Sequence, residues 1–188
     1  TREIFIVDNL STDSTRSLLA QLEDDTDVKV LYQTVNKGKS HSIRKALPLC
    51  TGDYIIPQDA DLEYNPCDYA ALINSALSKN LDVVIGSRTG DSRRYHVYRI
   101  NEWGIARLTS LTNFLFSTDY TDVATCYKLM RRDQLELLRL RSNGFNLDFE
   151  LCAKFAKHKW RIGEVKIRYE SRTFQEGRKM RPIAAGIG

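Results

Sequence analysis

The chain has 188 residues, of which 42% are hydrophobic, enough to fill the core of one sizeable domain. Its formal net charge is only +4, from 28 basic and 24 acidic side chains, so charge gives no indication of a dedicated nucleic-acid-binding protein. The four cysteines form no Cys-x-x-Cys pair and the three histidines no ligand spacing, which argues against zinc and a disulfide framework, and no apolar run is long enough to predict a membrane span.

The first part of the chain alternates strand and helix patterns. A near-continuous apolar strand over residues 3–8 is followed by capping residues at 11–13, which predict the start of a helix. A second strand is predicted over residues 28–32. The basic turn at residues 36–40 then precedes another helix, and the N-terminus of a helix favours an anion. An anion site and an ordinary solvated turn are both consistent with this pattern.

A cluster of carboxylates follows the third predicted strand. The apolar run 54–56 is typical of a buried strand, and Asp59, Asp61 and Glu63 come after it at alternate positions. If the backbone stays extended there, these side chains share one face. Carboxylates so close together repel one another unless a cation lies between them, and hard oxygen ligands suit Mg²⁺ or Mn²⁺. A metal site for a diphosphate is one interpretation, and a solvated acidic turn is the other.

A third helix and a fourth strand continue the alternation. Pro66 opens a helix with an apolar face over residues 69–77, and residues 82–85 return as a strand. Repeats of this kind predict an α/β fold with a largely parallel sheet, in which ligands bind outside the carboxyl ends of the strands. We therefore expect Asp8, Asp59 and Arg88 to cluster at that edge.

The next predicted helix carries an apolar stripe that has two interpretations. It follows a polar, basic loop at residues 89–95, and its apolar side chains recur at helical spacing: Ile100, Trp103, Ile105, Leu108, Leu111 and Leu115. Packing against the core explains the stripe in one way. The other interpretation places the helix at a membrane surface, with Trp103, Phe114 and Phe116 near the headgroups.

The last part of the chain is predicted to end in a strand and a basic segment. The patterns indicate a strand over 124–130, helices over 134–140 and 148–157, and a strand region over 162–169. Cations then crowd around Gly177, at Arg168, Arg172, Arg178, Lys179 and Arg181. Such a run is usually solvated surface.

Six segments in order resemble one family. They are Val7-Asp8-Asn9-Leu10-Ser11-Thr12-Asp13, Asn36-Lys37-Gly38-Lys39, the stretch from Gly52-Asp53 through Asp59-Ala60-Asp61-Leu62-Glu63, Gly86-Ser87-Arg88, the stretch from Thr121-Asp122 to Tyr127-Lys128, and Arg172 with Glu176-Gly177-Arg178-Lys179. On these segments the chain resembles the polyprenyl-phosphate glycosyltransferases of glycosyltransferase family two, over nearly its whole length.

The resemblance implies both a fold and a reaction. The fold is GT-A, an α/β fold with a mostly parallel central sheet flanked by helices. The reaction is the inverting transfer of a sugar from a nucleotide-diphosphate sugar donor to a polyprenyl phosphate, with Mg²⁺ or Mn²⁺ as cofactor. Such an enzyme works at the cytoplasmic face of a membrane, so a membrane surface is an implied partner and nucleic acid is not. We expect the fragment itself to be soluble.

The resemblance also assigns roles by position. Asp59, Asp61 and Glu63 would hold the metal, and Asp8, Asn9, Lys39 and Asp59 would bind the donor. Arg88, Arg99, Arg172, Arg178 and Lys179 would face the phosphates, and Asp61, Asp122 and Arg88 would serve catalysis; a cap of a helix or strand is the other interpretation of Asp122. The match of Arg172 and Glu176-Gly177-Arg178-Lys179 to the family's basic tail implies that residues 168–181 form a lid that closes over the phosphates, whose oxygens offer charge-assisted hydrogen bonds. Two positions depart from the family pattern: Asn9 stands where many relatives have a second Asp, and Glu63 where many have Gln.

We expect residues 1–188 to form a single catalytic domain that is truncated at its amino end, where the first strand of the fold is missing, and also at its carboxyl end. Other functions compete with this one. A sugar-phosphate nucleotidyltransferase needs a glycine-rich loop after its first strand, and a processive polysaccharide synthase carries a Gln-x-x-Arg-Trp motif; neither is found in the sequence. A transferase for saccharide acceptors and a non-enzymatic membrane adaptor stay as alternatives, and metal-dependent binding of a nucleotide sugar distinguishes the adaptor from an enzyme.

Overall fold

The structure is a computed structural model that describes residues 2–89, 99–142 and 146–172, with only the backbone described at 99–102 and 136. Within these residues strands and helices alternate along most of the chain. The elements are β1 (Ile4–Asp8), α1 (Thr15–Ala20), β2 (Val28–Tyr32), α2 (Lys39–Ala46), β3 (Tyr54–Ile55), α3 (Tyr69–Ser78), β4 (Val83–Ser87), α4 (Arg99–Phe116), β5 (Lys128–Arg131), α5 (Leu135–Leu138), α6 (Leu147–Lys157) and β6 (Ile162–Lys166).

The described strands form two sheets, one wholly parallel and one mixed. β1 pairs with β2 in parallel register, and the other four strands lie in the order β3-β5-β4-β6. β4 and β6 are parallel, whereas β5 runs antiparallel to both β3 and β4. The reason is local. The segment before β5 lies at the carboxyl end of β4, where Gly86 N donates a hydrogen bond to Tyr127 O. The chain therefore enters β5 at that end and runs back along β4 in the opposite direction. Strand-helix alternation alone does not predict this reversal.

The core lies on both faces of β4. Every residue of this strand is buried, as is typical of a strand covered on its two sides. Val84 packs into one apolar cluster with Leu72 and Tyr127, while Val83 and Ile85 pack into a second cluster against α6. Because β4 is fixed in this way, its last residue Ser87 and the following Arg88 have a fixed position at the carboxyl end of the strand.

Helix α4 exposes the apolar stripe that the sequence predicts. Trp103 is 62% exposed and Phe114 82% exposed, and Leu108, Leu111 and Leu115 are exposed as well. Packing against the core is therefore wrong for Trp103, Leu108, Leu111 and Leu115; Ile105 is partly buried, and the side chain of Ile100 lies outside the described part of the chain. None of the helices in the described part of the chain is long and apolar enough to cross a bilayer.

Candidate active site

Asp8 ends β1 and lies in a buried, fully bonded position. Its Oδ1 accepts a hydrogen bond from the backbone N–H of Ser11 at 3.0 Å, and its Oδ2 accepts one from Arg16 Nε at 2.7 Å. Burial alone would raise the pKa of Asp8, but the bonds from Ser11 and Arg16 outweigh it and lower the pKa. Asp8 is therefore held as an anion, and it fixes the turn between β1 and α1.

Asn9 joins that turn to the basic turn before α2. Its Nδ2 donates to Asn36 Oδ1 at 2.7 Å, and its Oδ1 accepts from the backbone N–H of Lys37 at 3.0 Å. Gly38 follows with a φ of 80°, which a residue with a side chain rarely adopts, and caps α2. These bonds set the start of α2 beside the end of β1, so that Lys39 faces the acidic motif.

Lys39 lies between two carboxylates. Its Nζ is 2.8 Å from Asp59 Oδ1 and 3.9 Å from Asp148 Oδ2. Burial would lower the pKa of Lys39, but the negative charges of Asp148 and Asp59 outweigh it and raise the pKa. Lys39 is therefore a charged lysine in the interior of the site. The sequence predicts Lys39 as a donor-binding residue, and the structure brings it to the first carboxylate of the motif.

The backbone is not an extended strand through Asp59, Asp61 and Glu63. β3 ends at Ile55, a turn covers residues 60–61, and Leu62 adopts a φ of 64°. Glu63 is turned toward the segment after β6, where its Oε2 accepts from Tyr169 Oη at 2.7 Å and its Oε1 accepts from the backbone N–H of Arg172 at 3.0 Å. The condition under which the three side chains would share one face, an extended backbone, is therefore not met.

The pair Asp59 and Asp61 is the part of the motif that fits a divalent cation. In the described part of the chain no three His, Cys, Asp or Glu side chains converge to hold a metal without other ligands. Burial raises the pKa of Asp61, and the carboxylates of Glu63 and Asp59 raise it further, so added positive charge is favoured there. Two carboxylates with diphosphate oxygens supply the hard donors that Mg²⁺ or Mn²⁺ requires. The full ligand set Asp59, Asp61 and Glu63 stays a prediction, because Glu63 is bonded elsewhere.

Arg172 lies on the other side of the motif. Its Nη2 donates to Asp61 Oδ2 at 3.2 Å, and its Nε is 3.5 Å from Glu63 Oε1. Arg172 thus provides the counter-ion of Asp61, as Lys39 does for Asp59. Of the predicted lid, Arg168 is bonded to Asp68 and Arg172 to the motif, whereas Arg178 and Lys179 lie outside the described residues, as does the side chain of Arg99.

Arg88 and Asp122 are brought together, but by bonding to each other. Arg88 Nε and Nη2 donate to the two carboxylate oxygens of Asp122 at 2.7 and 2.9 Å, and the Arg88 guanidinium lies 5.0 Å from the centre of the Tyr169 ring. Burial would raise the pKa of Asp122, but the charge and hydrogen bonds of Arg88 outweigh it and lower the pKa. The pair joins the end of β4 to the segment before β5. Contact of Arg88 with a phosphate stays a prediction.

Two charged residues of the site are missing from the sequence-based assignment. Lys128, at the start of β5, is fully buried and donates to the carbonyl oxygens of Val123 and Thr125 and, at 3.1 Å, to Asp148 Oδ1. Asp148 lies in the first turn of α6. A lysine within an apolar strand is a signal in the sequence, because a buried lysine requires an anionic partner. Nothing local to Asp148 reveals that it faces Lys39.

Comparison of the sequence with known proteins gives one family and several named relatives. The family described as Glycosyl transferase family 2 matches residues 1–138. Glycosyltransferase AglJ of Haloferax volcanii is 26% identical over 184 residues, covering 97% of this chain and 59% of that protein. Dolichol-phosphate mannosyltransferase of Pyrococcus furiosus is 28% identical over 155 residues, covering 81% of this chain and 44% of that protein.

A bacterial relative extends this set. Undecaprenyl-phosphate 4-deoxy-4-formamido-L-arabinose transferase of Pseudomonas fluorescens is 29% identical over 161 residues, covering 83% of this chain and 45% of that protein. The chain thus spans roughly half the length of the curated relatives that it matches.

Solved structures confirm the fold. Glucosyl-3-phosphoglycerate synthase from Mycobacterium tuberculosis, in complex with phosphoglyceric acid, matches with a TM-score of 0.65 at 18% identity, over 93% of this chain and 63% of that one. S. aureus TarS 1-349 in complex with UDP-GlcNAc matches with a TM-score of 0.63 at 19% identity, over 97% of this chain and 52% of that one. The predicted GT-A fold is confirmed by these similarities.

Proposed function

Because this chain belongs to glycosyl transferase family 2, we propose that it forms the catalytic part of a metal-dependent enzyme that transfers a sugar, with inversion, from a nucleotide-diphosphate sugar to a polyprenyl phosphate. The observation that carries the proposal is the pair Asp59 and Asp61, each with a cationic partner. The names of two relatives, which refer to dolichol phosphate and undecaprenyl phosphate, support the lipid acceptor.

The donor binds through its diphosphate in this proposal. Asp59 and Asp61 would hold Mg²⁺ or Mn²⁺, and the metal would supply positive charge that favours departure of the nucleoside diphosphate. Lys39 and Arg172 turn from these carboxylates to phosphate oxygens and form charge-assisted hydrogen bonds. The bonds of Asp8 and Asn9 keep the two turns of the nucleoside side in place. The same side chains that neutralise the motif without ligand thus bind the donor.

The acceptor makes a modest demand on the protein. A phosphate monoester loses its second proton near pH ~6, so the attacking oxygen is already anionic at neutral pH and needs no strong general base. The protein has to align two negatively charged groups without letting them repel each other. Arg172 borders the motif and serves this purpose, and Arg99, Arg178 and Lys179 are proposed to join it.

The exposed stripe of α4 is proposed to lie on the membrane surface that holds the acceptor. Trp103 and Phe114 are among its most exposed members, and the Arg107 guanidinium lies 4.7 Å from the centre of the Trp103 ring. An aromatic ring beside a cation suits the region of lipid headgroups, where one part of the surface is apolar and the other wet. Along the chain, α4 lies between Arg88 and Asp122, the two residues that form the buried ion pair of the site.

A transfer assay tests the function. The full-length protein is incubated with Mn²⁺, a panel of labelled nucleotide-diphosphate sugars and undecaprenyl or dolichyl phosphate in detergent, and label extracted into organic solvent is counted. We expect label in the lipid fraction with at least one donor, and its loss when a chelator removes the metal. Label transferred only to water-soluble saccharides would favour the saccharide acceptor, and no transfer with any donor would overturn the proposal.

A further inference from the structure

A chain of alternating charges runs from the acidic motif into the core. Asp59 bonds Lys39, Lys39 faces Asp148, and Asp148 bonds Lys128. The two ends of this chain differ in rigidity. The side chain of Lys128 is fully buried and bonded to two backbone carbonyl oxygens, so it fixes Asp148, whereas the side chains of Lys39 and Asp59 are 26% and 29% exposed. Lys39 is therefore the cation in this chain that has room to move.

A divalent cation at Asp59 has to compete with Lys39. Two cations on one carboxylate repel each other, so metal binding requires Lys39 to leave its contact of 2.8 Å with Asp59. A displaced lysine in a partly buried site needs another anion. Asp148 Oδ2 lies 3.9 Å from Lys39 Nζ, so Asp148 is already within a small displacement of a direct bond.

We propose that Lys39 is the built-in counter-ion of Asp59, and that Asp148 is the positioning residue that receives Lys39 when a divalent metal binds Asp59. This inference rests on the proposed function, because it assumes metal binding at Asp59 and Asp61. It has a consequence for the order of binding. Metal alone has to displace Lys39, whereas metal together with a diphosphate gives Lys39 both Asp148 and phosphate oxygens as partners, so metal and donor bind best together.

Binding of Mn²⁺ without any nucleotide tests the inference directly. Electron paramagnetic resonance reports the free Mn²⁺ in a titration, so the dissociation constant is measured without catalysis. For Lys39→Met we expect Mn²⁺ to bind on the order of tenfold more tightly, because the competing cation is gone. For Asp148→Asn we expect binding on the order of tenfold weaker, because Lys39 then has only Asp59 as its anion.

A matched control separates position from charge. Glu150 lies in the same turn of α6, but it bonds Lys154 and the backbone N–H groups of Arg141 and Ser142 rather than Lys39. Glu150→Gln therefore removes the same charge from the same region and should change the Mn²⁺ dissociation constant less than about twofold. Asp148→Glu should restore most of the binding that Asp148→Asn loses.

The double variant decides whether Asp148 acts through Lys39. When Lys39 is already replaced by methionine, Asp148→Asn should have little further effect on Mn²⁺ binding, because there is no lysine to receive. Equal effects of Asp148→Asn with and without Lys39, or equal effects of Asp148→Asn and Glu150→Gln, would overturn the inference. Thermal unfolding of each variant shows that it is folded, and the amide introduced by Asp148→Asn retains a carbonyl oxygen for Lys128.

The wild-type protein separates failure of the inference from failure of the function. If it binds Mn²⁺ neither alone nor with UDP or GDP, the metal site and the inference are both overturned. If it binds Mn²⁺ and Lys39→Met binds no more tightly, Lys39 is not the competing cation, and the proposed function is unaffected.

Discussion

Arg88 and Asp122 form a bidentate pair in which both side chains are less than one-tenth exposed, with nitrogen-to-oxygen distances of 2.7 and 2.9 Å. The pair joins the end of β4 to the segment before β5. Tyr169 lies over the Arg88 guanidinium and bonds Glu63, so the pair is connected to the acidic motif through one ring. The first role of these two residues is therefore to hold the carboxyl end of β4 against the segment before β5.

Removal of either partner of this pair should destabilise the fold. For Asp122→Asn we expect a loss of about 3 kcal/mol in the free energy of unfolding, because the Arg88 charge is then buried without its anion. Urea denaturation measures this loss. The double change Arg88→Met with Asp122→Leu should lose less than Asp122→Asn alone. A single variant as stable as the wild type would show that the pair is not structural.

Asp61→Asn should lower turnover far more than stability. Burial and two neighbouring carboxylates already raise the pKa of Asp61, so removal of its charge relieves repulsion in the protein without ligand. The same change removes a proposed metal ligand. We expect a melting temperature within a few degrees of the wild type and a large loss of Mn²⁺-dependent transfer. A variant that unfolds, yet keeps its metal response per folded molecule, would make the cluster structural.

The variant Trp103→Ser should show whether Trp103 contacts a membrane surface or packs in the core. Because Trp103 is 62% exposed, we expect a change in unfolding free energy below about 1 kcal/mol, together with weaker binding to liposomes that contain anionic lipid. Trp160 is the matched control, since it is partly buried and stacks on Phe155 at 5.4 Å. Trp160→Ser should lose about 2 kcal/mol without weakening liposome binding of the folded protein. Equal liposome binding by Trp103→Ser and the wild type would remove α4 from the membrane.

The free energy of unfolding should decrease at low pH because of Asp82. Hydrogen bonds from the Arg161 side chain lower the pKa of Asp82 from 3.8 to about 2, although burial opposes the shift. A lowered pKa in the folded state adds stability that is complete above the unfolded value and is lost as pH falls through the folded value. Since the Arg161 side chain is half exposed and water screens it, we expect a contribution of only about 1 kcal/mol.

The measurement for Asp82 is urea denaturation at a series of pH values. The difference in unfolding free energy between the wild type and Asp82→Asn should be constant above pH ~5 and should shrink between pH ~4 and pH ~2. A difference that stays constant down to pH ~2 would show that Arg161 does not stabilise the ionised carboxylate.

Two glycines should respond in opposite directions to the same substitution. A Cβ at Gly86 would lie 2.8 Å from the Cβ of Tyr127 and 3.0 Å from the Ile167 side chain, whereas a Cβ at Gly104 has no atom within 4 Å. Gly86→Ala should lose about 1 to 3 kcal/mol through overpacking beside β4. Gly104→Ala should gain about 0.5 to 1 kcal/mol, because alanine is the better helix former in α4. Thermal unfolding compares the two variants. A Gly86→Ala variant as stable as the wild type would show that Tyr127 and Ile167 move aside at little cost.

The sequence predicts those parts of the fold that depend on local periodicity. The positions of β1, β2 and β4 follow from short apolar runs, and α3 follows from its apolar face. The direction of β5 depends instead on contacts at the end of β4, which a local pattern does not contain. The same limit applies to the site. The carboxylates at 59–63 are visible in the sequence, but the left-handed backbone at Leu62 and the approach of Asp148 to Lys39 arise from tertiary packing.

The bridge between Tyr64 and Tyr169 joins two segments that are synthesised at different times. Glu63 and Tyr169 are bonded across 106 positions of the chain, and Arg172 reaches Asp61 from farther still. A ribosome that adds 5–20 residues per second thus exposes the acidic motif roughly 5 to 20 s before its partners exist. In that interval a nascent chain has the carboxylates but neither the ring that holds Glu63 nor the arginine that balances Asp61. This arrangement of the acidic motif is therefore complete only after the chain has been synthesised as far as Arg172.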